Sequence, residues 1–297
     1  MSKTSKLFDR FKGPLLIFAS SVVWSVSGVL AKTLDKYSPW SGFSKSGVRS
    51  VFAVIIYALY RRSFKVKVSW QLLIGALGVC LTGLLYMTAI RYTTSANAIV
   101  LQYSMPVYVV FFSWLLFKQK PRARDLIVVP LVLCGVILCC VGEMGGGMLG
   151  NIIALVSALT YACVFLAGKF KNADAVEYTY LGNLFSTLLI VSVFFDDNVH
   201  FGFDAGTLME WAIVAALGVS LGGGYLLLAL GMRHGVSPTT SAILSNLEPV
   251  LNPLWVSVFI GETPGTLGLI GMALVLVTVT VYSCLPEKKP VSSSINE

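Results

Sequence analysis

Charge is what this sequence has least of. Only 12% of its 297 residues are Asp, Glu, Lys or Arg, while 56% are hydrophobic. Soluble domains carry about 25% charged residues, so this chain cannot coat a water-exposed globule of its size and must be solvated mainly by lipid. Histidine is nearly absent. His200 and His234 both fall in loops, which leaves no His-based metal or nucleophile site. The six cysteines (Cys80, Cys134, Cys139, Cys140, Cys163 and Cys284) lie in or beside apolar runs without a Cys-x-x-Cys spacing. They read as small packing residues, not metal ligands. No paired Asp, Ser-His or clustered His stands inside the apolar runs, which argues against an intramembrane enzyme, so no metal or cofactor is expected. No polar stretch is long enough for a separate soluble domain.

What is abundant is apolar runs of about 20 residues, the length at which a helix crosses a hydrocarbon layer. The first, Pro14 to Ala31, follows Lys3, Lys6, Arg10 and Lys12 as a signal peptide would. It is longer than an h-region and more spans follow, so it reads as a transmembrane helix. The expected fold is an all-α integral membrane protein with ten spans: 13–32, 38–60, 70–90, 95–117, 124–142, 148–169, 177–195, 208–231, 237–260 and 264–284. The tail 285–297, Lys- and Ser-rich, is expected to be disordered.

The net charge of +8 raises the question of nucleic acid, and the placement of the charges answers it. If spans alternate from a cytoplasmic N-terminus, seventeen of the 22 basic residues fall on the cytoplasmic side. They are Lys3, Lys6, Arg10, Lys12, Arg61, Arg62, Lys65, Lys67, Lys118, Lys120, Arg122, Arg124, Lys169, Lys171, Arg233, Lys288 and Lys289. Lys32, Lys36 and Arg91 fall outside. This excess places both termini in the cytoplasm of a multi-pass plasma (inner) membrane protein. The partner it implies is a lipid bilayer, not nucleic acid. Trp40, Trp70 and Trp211 fall at span ends, where interfacial tryptophans sit.

The chain also says one thing twice. Tyr-Ser-Met-Pro-Val around Pro106 leads through an apolar run to Lys-Gln-Lys-Pro at Pro121. Asn-Leu-Glu-Pro-Val around Pro249 leads at the same spacing to Gly-Glu-Thr-Pro at Pro264. Ala76-Leu-Gly-Val in span three matches Ala216-Leu-Gly-Val in span eight. Trp24, eight residues before Lys32, matches Tyr161, eight before Lys169. The identical Thr93-Thr-Ser-Ala and Thr239-Thr-Ser-Ala are three residues out of this register. An odd five spans per half makes the repeat inverted, with halves 13–142 and 148–284.

On these residues the sequence resembles the EamA branch of the drug/metabolite transporter superfamily, with its YddG-like ten-helix exporters. The segment from Ser237 to Glu262, with Leu247-Glu248-Pro249-Val250 and Gly261-Glu262, carries the resemblance, as does Arg49 in span two. It implies two five-helix repeats around an apolar, aromatic cavity with a few polar groups. The chain departs from the family pattern at Lys118-Gln119-Lys120, where an acidic residue is usual, at Pro130, and at Lys45.

Charges within a membrane cost several kcal/mol unless paired or hydrated. Lys45, Arg49 and Glu248 are the ones well inside predicted spans. At ~1.5 Å per residue, Arg49 and Glu248 lie roughly 15–16 Å deep, near the middle of a layer roughly 30 Å thick. Lys45 is shallower, one turn from Arg49, with reach to snorkel outward. Two readings stand for the trio: helix packing, or a wet cavity in which Lys45 and Arg49 attract an anionic group while Glu248 meets an ammonium or exchanges a proton. Ser245, Glu248 and Asn252 share a helix face with Asn246 beside it. Asn97, Gln102, Tyr103 and Ser104 interrupt the repeat-related span four. Trp24, Tyr86, Tyr103, Tyr161 and Tyr225 are candidate cavity walls. Pro106, Pro249 and Pro253 disturb their helices, and Gly222-Gly-Gly allows bending or close packing.

The expected function is transport of a small-molecule substrate by alternating access, with an amino acid or related amphipathic metabolite, exported, as the leading guess. A multidrug, vitamin or nucleotide-precursor carrier is the alternative; a channel or a non-transporting sensory or assembly protein ranks lower. The oligomeric state is left open, with a monomer admissible.

Overall fold

The computed structural model describes residues 3–65, 68–93, 95–121, 123–142, 148–237, 240–241, 244–261 and 265–284. Lys67, Arg122, Thr239, Glu262, Pro264 and the tail 285–297 lie outside these. So do the side chains of Lys3, Lys6, Arg10, Asn97, Arg124, Cys139, Cys140, Asn246 and Cys284. Among the described residues the regular structure is entirely helical. The elements are α1 (Lys3–Ser25), α2 (Ser27–Tyr37), α3 (Gly42–Arg61), α4 (Trp70–Tyr92), α5 (Ser95–Gln102), α6 (Met105–Phe117), α7 (Ala123–Gly142), α8 (Met148–Ala167), α9 (Ala175–Thr187), α10 (Ala205–Arg233), α11 (Glu248–Ile260) and α12 (Thr266–Cys284). A 3-10 stretch, Leu188–Phe195, extends α9, and another, Ser245–Leu247, precedes α11.

Seven helical segments among the described residues are long and apolar enough to cross a membrane: Phe11–Tyr37, Gly42–Arg61, Trp70–Tyr92, Ala98–Phe117, Met148–Ala167, Ala175–Phe195 and Ala205–Arg233. Asp125–Gly135 and Glu248–Ile260 are shorter apolar helices. The first span runs to Tyr37, past the expected end at residue 32, and is interrupted at Val26. Ser25 Oγ donates to Val22 O (2.7 Å) at this interruption, an alternative partner that loosens the helical ladder.

Polar caps set the helix starts. Ser41 accepts from Ser44 N, Ser69 from Leu72 N, and Asp174 from the amides of Val176 and Glu177. Side-chain contacts then sort the helix ends into two groups. At one end Arg61 pairs with Glu177, Arg233 with Asp174, and Trp70 packs on Phe170. At the other, Thr93 donates to Asn151 (2.8 Å), Ser41 N to Asp196 (2.7 Å), and Trp40 Nε1 to Glu210 (3.3 Å). The Arg61 end resolves one departure from the family pattern. Where an acidic residue is usual, the Gln119 amide oxygen accepts from Lys169 Nζ at 2.6 Å, and Lys169 also donates to Ser113 Oγ at 2.7 Å.

Burial at Asp174 opposes ionisation, yet the Arg233 guanidinium and the amides of Glu177 and Val176 hold its carboxyl below the usual range. Burial likewise opposes ionisation at Asp196, but hydrogen bonds from Ser44, Ser41 and Asn198 bring it down to about 2.

The central helices are α3, α4, α8, α9 and α10. Helix α4 packs against α8 and α9; α10 packs against α1, α2 and α3; α3 packs against α9; α7 packs against α12. The glycines of α10 serve this packing, not bending: α10 is unbroken over 29 residues. A Cβ at Gly222 would stand 2.6 Å from the Ala53 backbone, and one at Gly224 would stand 2.2 Å from Trp24 Nε1. Small residues at such contacts let membrane helices approach closely.

Two expectations need correcting. Trp40 is fully buried, with its indole donating to Glu210 and edge-on to Trp211 at 5.1 Å, so it is not an interfacial tryptophan. Pro253 stands within an unbroken α11, and the breaks in spans four and nine come just before Pro106 and Pro249.

Candidate functional site

Three helix interruptions border one internal cavity. Val26 separates Trp24 from Ser27; Tyr103 and Ser104 separate α5 from α6; the 3-10 turn Ser245–Leu247 delivers Glu248 to the start of α11. Proline tolerates a helix's first turn because its missing N–H is not needed there, and both Pro106 and Pro249 occupy that place. The cavity holds ≈ 50 Å³ and is lined by Trp24, Ser27, Arg49, Thr82, Gly83, Tyr86, Gln102, Tyr161, Leu217, Leu221, Tyr225 and Glu248. That is room for a few water molecules.

The walls are aromatic. Trp24 meets Tyr225 edge-on at 4.8 Å and Tyr161 at 6.4 Å, and Tyr161 meets Tyr103 edge-on at 6.0 Å. Trp24 Nε1 donates to Leu221 O at 3.4 Å, which ties α1 to α10 beside the cavity. Gln102 Nε2 donates to Ser157 Oγ (3.1 Å), and Thr82 and Thr160 share a hydroxyl bond (2.9 Å).

A guanidinium and a carboxyl group stand in these walls. Arg49, 4% exposed, donates from Nη2 to Gly83 O at 2.9 Å, and its Nε has no partner. Glu248, equally buried, accepts a hydrogen bond from the Tyr103 hydroxyl. No ion pair joins Arg49 to Glu248, although both line the cavity. The Tyr86 hydroxyl and both amide atoms of Asn252 are also buried without a partner. Leaving a buried polar group unpaired costs about 1–3 kcal/mol, and two of these groups, Arg49 Nε and the Tyr86 hydroxyl, belong to residues that line the cavity.

Of the sequence candidates, Trp24, Arg49, Tyr86, Gln102, Tyr161, Tyr225 and Glu248 come together at this cavity. Tyr103 stands behind Glu248. Asn252, one turn beyond Glu248, is fully buried against α2 at Gly28. Lys45 does not join them. It neither snorkels nor reaches the cavity; its Nζ pairs with Asp35, and the side chain is 2% exposed. Asp35 escaped the sequence reading because it was placed outside the first span, which in fact extends past it. Ser27, Thr82, Gly83, Leu217 and Leu221 were also missed. Ser27 had a signal, the small polar run Ser25-Val-Ser-Gly28; the two leucines had none.

Comparisons with known proteins identify the family. The sequence profile of the EamA-like transporter family matches the chain twice, over residues 11–141 and 148–284. The chain is 26% identical over 285 residues to the pseudopaline exporter CntI of Pseudomonas aeruginosa, covering 91% of this chain and 95% of that protein. It is 30% identical over 201 residues to an uncharacterized transporter of Archaeoglobus fulgidus, covering 66% of this chain and 70% of that one. A solved crystal structure superposes with a TM-score of 0.72 at 19% identity, over 91% of this chain and 96% of that one, which shows a shared fold. The chain belongs to the EamA-like transporter family and is a multi-pass membrane transporter.

Proposed function

We propose that this transporter exports a small zwitterionic or amphipathic metabolite, an amino acid or a related compound, by alternating access. The observation that carries the reading is a buried guanidinium, Arg49, and a buried carboxyl group, Glu248, that line one cavity without pairing with each other. Arg49, with Nε unpaired, suits a carboxylate. Glu248, with the faces of Trp24, Tyr161 and Tyr225 nearby, suits an ammonium. The relative named an exporter supports outward movement.

The cavity is far below the 300–1,000 Å³ usual for ligand pockets, so a substrate enters only if helices part. The interruptions at Val26, Tyr103–Ser104 and Ser245–Leu247 supply places for that motion. Glu248, the deep carboxylate without a cation, is the candidate proton-coupling group.

The reading includes ten spans in two inverted halves. The double family match supports it, and so does the packing. Exchanging the first five spans for the second five turns α1 against α10 into α8 against α4, α3 against α10 into α9 against α4, and α2 against α11 into α8 against α5, all of which occur. The Arg61 end is then cytoplasmic, by its basic residues, in the plasma membrane. Each chain holds a whole cavity, so a monomer suffices.

The test is a thermal-shift panel of amino acids, cationic drugs and nucleosides on purified protein, followed by flux of the hits in proteoliposomes. Zwitterionic amino acids should raise the Tm, because a ligand that binds only the folded state stabilises it by mass action, and should exchange across the bilayer. Shifts from cationic drugs alone favour the multidrug reading; unitary currents in a planar bilayer favour a channel.

A further inference from the structure

The connection between α9 and α10 carries an exposed aromatic patch. After the 3-10 stretch it is short, residues 196–204, yet it exposes large aromatic side chains: Phe201 is 62% and Phe203 96% exposed. Burying one phenylalanine side chain is worth about 1.5–3 kcal/mol, so a loop held in water would gain little by carrying these. The rest of the loop is polar and has a different neighbour. Asp196 Oδ2 accepts from Ser41 N, Asn198 O accepts from the Ser38 hydroxyl, and Asp204 caps α10 through the amides of Gly206 and Thr207. The loop therefore has two sides, a polar one bonded to the 38–41 turn and an aromatic one that stays largely exposed.

What covers the aromatic side follows from its continuity with a membrane-crossing surface. Phe194 belongs to the apolar segment Ala175–Phe195, whose Leu188, Val191 and Phe194 are exposed and therefore face lipid. The Phe201 ring stacks on Phe194 with an interplanar angle of 13° and centroids 6.1 Å apart. It also leans on Trp211 (5.9 Å), whose Nε1 donates to His200 O at 3.0 Å. A tryptophan with an apolar ring and a satisfied N–H suits the membrane–water boundary. The loop thus folds back over the lipid-facing side of its own span instead of extending into water.

We propose that residues 196–204 form an interfacial wedge, with Phe201 and Phe203 inserted at the headgroup–acyl boundary of the leaflet at the Ser41 end. Asp196, Asn198 and Asp204 stay on the polar side. The lipid surface thereby fixes the loop that clamps the turn between the first two spans. This inference rests on the spans crossing a bilayer and not on any substrate or transport mechanism.

The test replaces Phe203 with dansylalanine, and separately places the same fluorophore at the exposed Lys120 as a water-facing control. Each protein is reconstituted in phosphatidylcholine bilayers. Lipids brominated near the headgroup end of the acyl chain should quench position 203 several-fold more than position 120. Aqueous iodide should quench 120 several-fold more than 203. Equal iodide quenching, with bromolipid reaching neither, overturns the wedge and leaves the loop in water. Protection of 203 from both quenchers also overturns it and assigns the patch to a second copy of the chain, which cross-linking at increasing protein-to-lipid ratio identifies.

Discussion

Helix α3 carries two buried cations one turn apart, and they differ in what they touch. Lys45 reaches Asp35 on α2 and is neutralised there. Arg49 reaches a backbone carbonyl, Gly83 O, and keeps its charge toward the cavity. A buried ion pair is weak evidence for stability in itself, but breaking one by removing a single partner is strongly destabilising. In the proposed function, a buried guanidinium that lines the cavity with no carboxylate paired to it among the described residues is instead a binding group in waiting. Sequence alone made the two cations look alike; the partner distinguishes them.

The sharpest way to break this comparison is to remove each cation in turn. Arg49→Ala should lower flux in proteoliposomes by roughly two orders of magnitude, the worth of a charged hydrogen bond of up to about 3 kcal/mol, with elution and Tm nearly kept. Lys45→Met should do the reverse. It leaves an uncompensated carboxylate, and because Asp35 is partly exposed and can hydrate, the cost should be about 2 kcal/mol, less than the 3–5 for a fully buried pair. Its Tm should fall by several degrees, with substrate affinity unchanged, and Lys45→Met with Asp35→Leu should recover most of the loss. If Lys45→Met abolishes binding while Arg49→Ala does not, the assignment of cavity and scaffold is inverted.

A second contrast lies between the two broken spans. Met105 precedes Pro106 and Glu248 precedes Pro249, so the positions matched by the proposed repeat differ by a buried carboxyl group. Glu248→Gln keeps the shape of this group and its acceptor for the Tyr103 hydroxyl while removing its charge. The variant should still show a ligand-induced Tm shift, weakened about tenfold in affinity, and should lose pH-dependent uphill transport. Uphill transport with unchanged pH dependence would move the coupling group elsewhere.

The fold was legible in the sequence wherever a rule of the bilayer applies. Run lengths located apolar helices, seven of them among the described residues long enough to cross a membrane, and the paired prolines foretold the interruptions that deliver Tyr103 and Glu248 to one another. The aromatic walls Trp24, Tyr86, Tyr161 and Tyr225 were found as aromatics standing inside predicted spans. Other features were hidden for physical reasons. In a membrane helix both the lipid-facing and the core-facing sides are apolar, so nothing in the pattern singles out Leu217 and Leu221. The break at Val26 carries no proline; hydroxyl bonding at Ser25 and tertiary contacts make it. Trp40 looked interfacial because its buried acceptor, Glu210, comes from a helix 170 residues away in sequence.

The mildest test of the contrast between charges that hold the scaffold and charges that serve the cavity is at Asp196, where a carboxylate ties the loop to the N-cap of α3. Its carboxyl is held at about 2, below its ordinary 3.8. A depressed carboxylate contributes stability above the unfolded value and loses it as pH falls from about 3.8 through about 2. The group is partly exposed, so solvent screening reduces its contribution to about 1 kcal/mol. Asp196→Asn should therefore lower the Tm slightly at neutral pH, and the gap to the parent should close as pH approaches 2. Flux at neutral pH should stay within about twofold, that is, within ~0.4 kcal/mol, because Asp196 touches the 38–41 turn and not the cavity. A gap that persists at pH 2 would mean that the Ser41 amide and the serine hydroxyls bond an amide oxygen differently from a protonated acid, and that geometry, not charge, holds this end together.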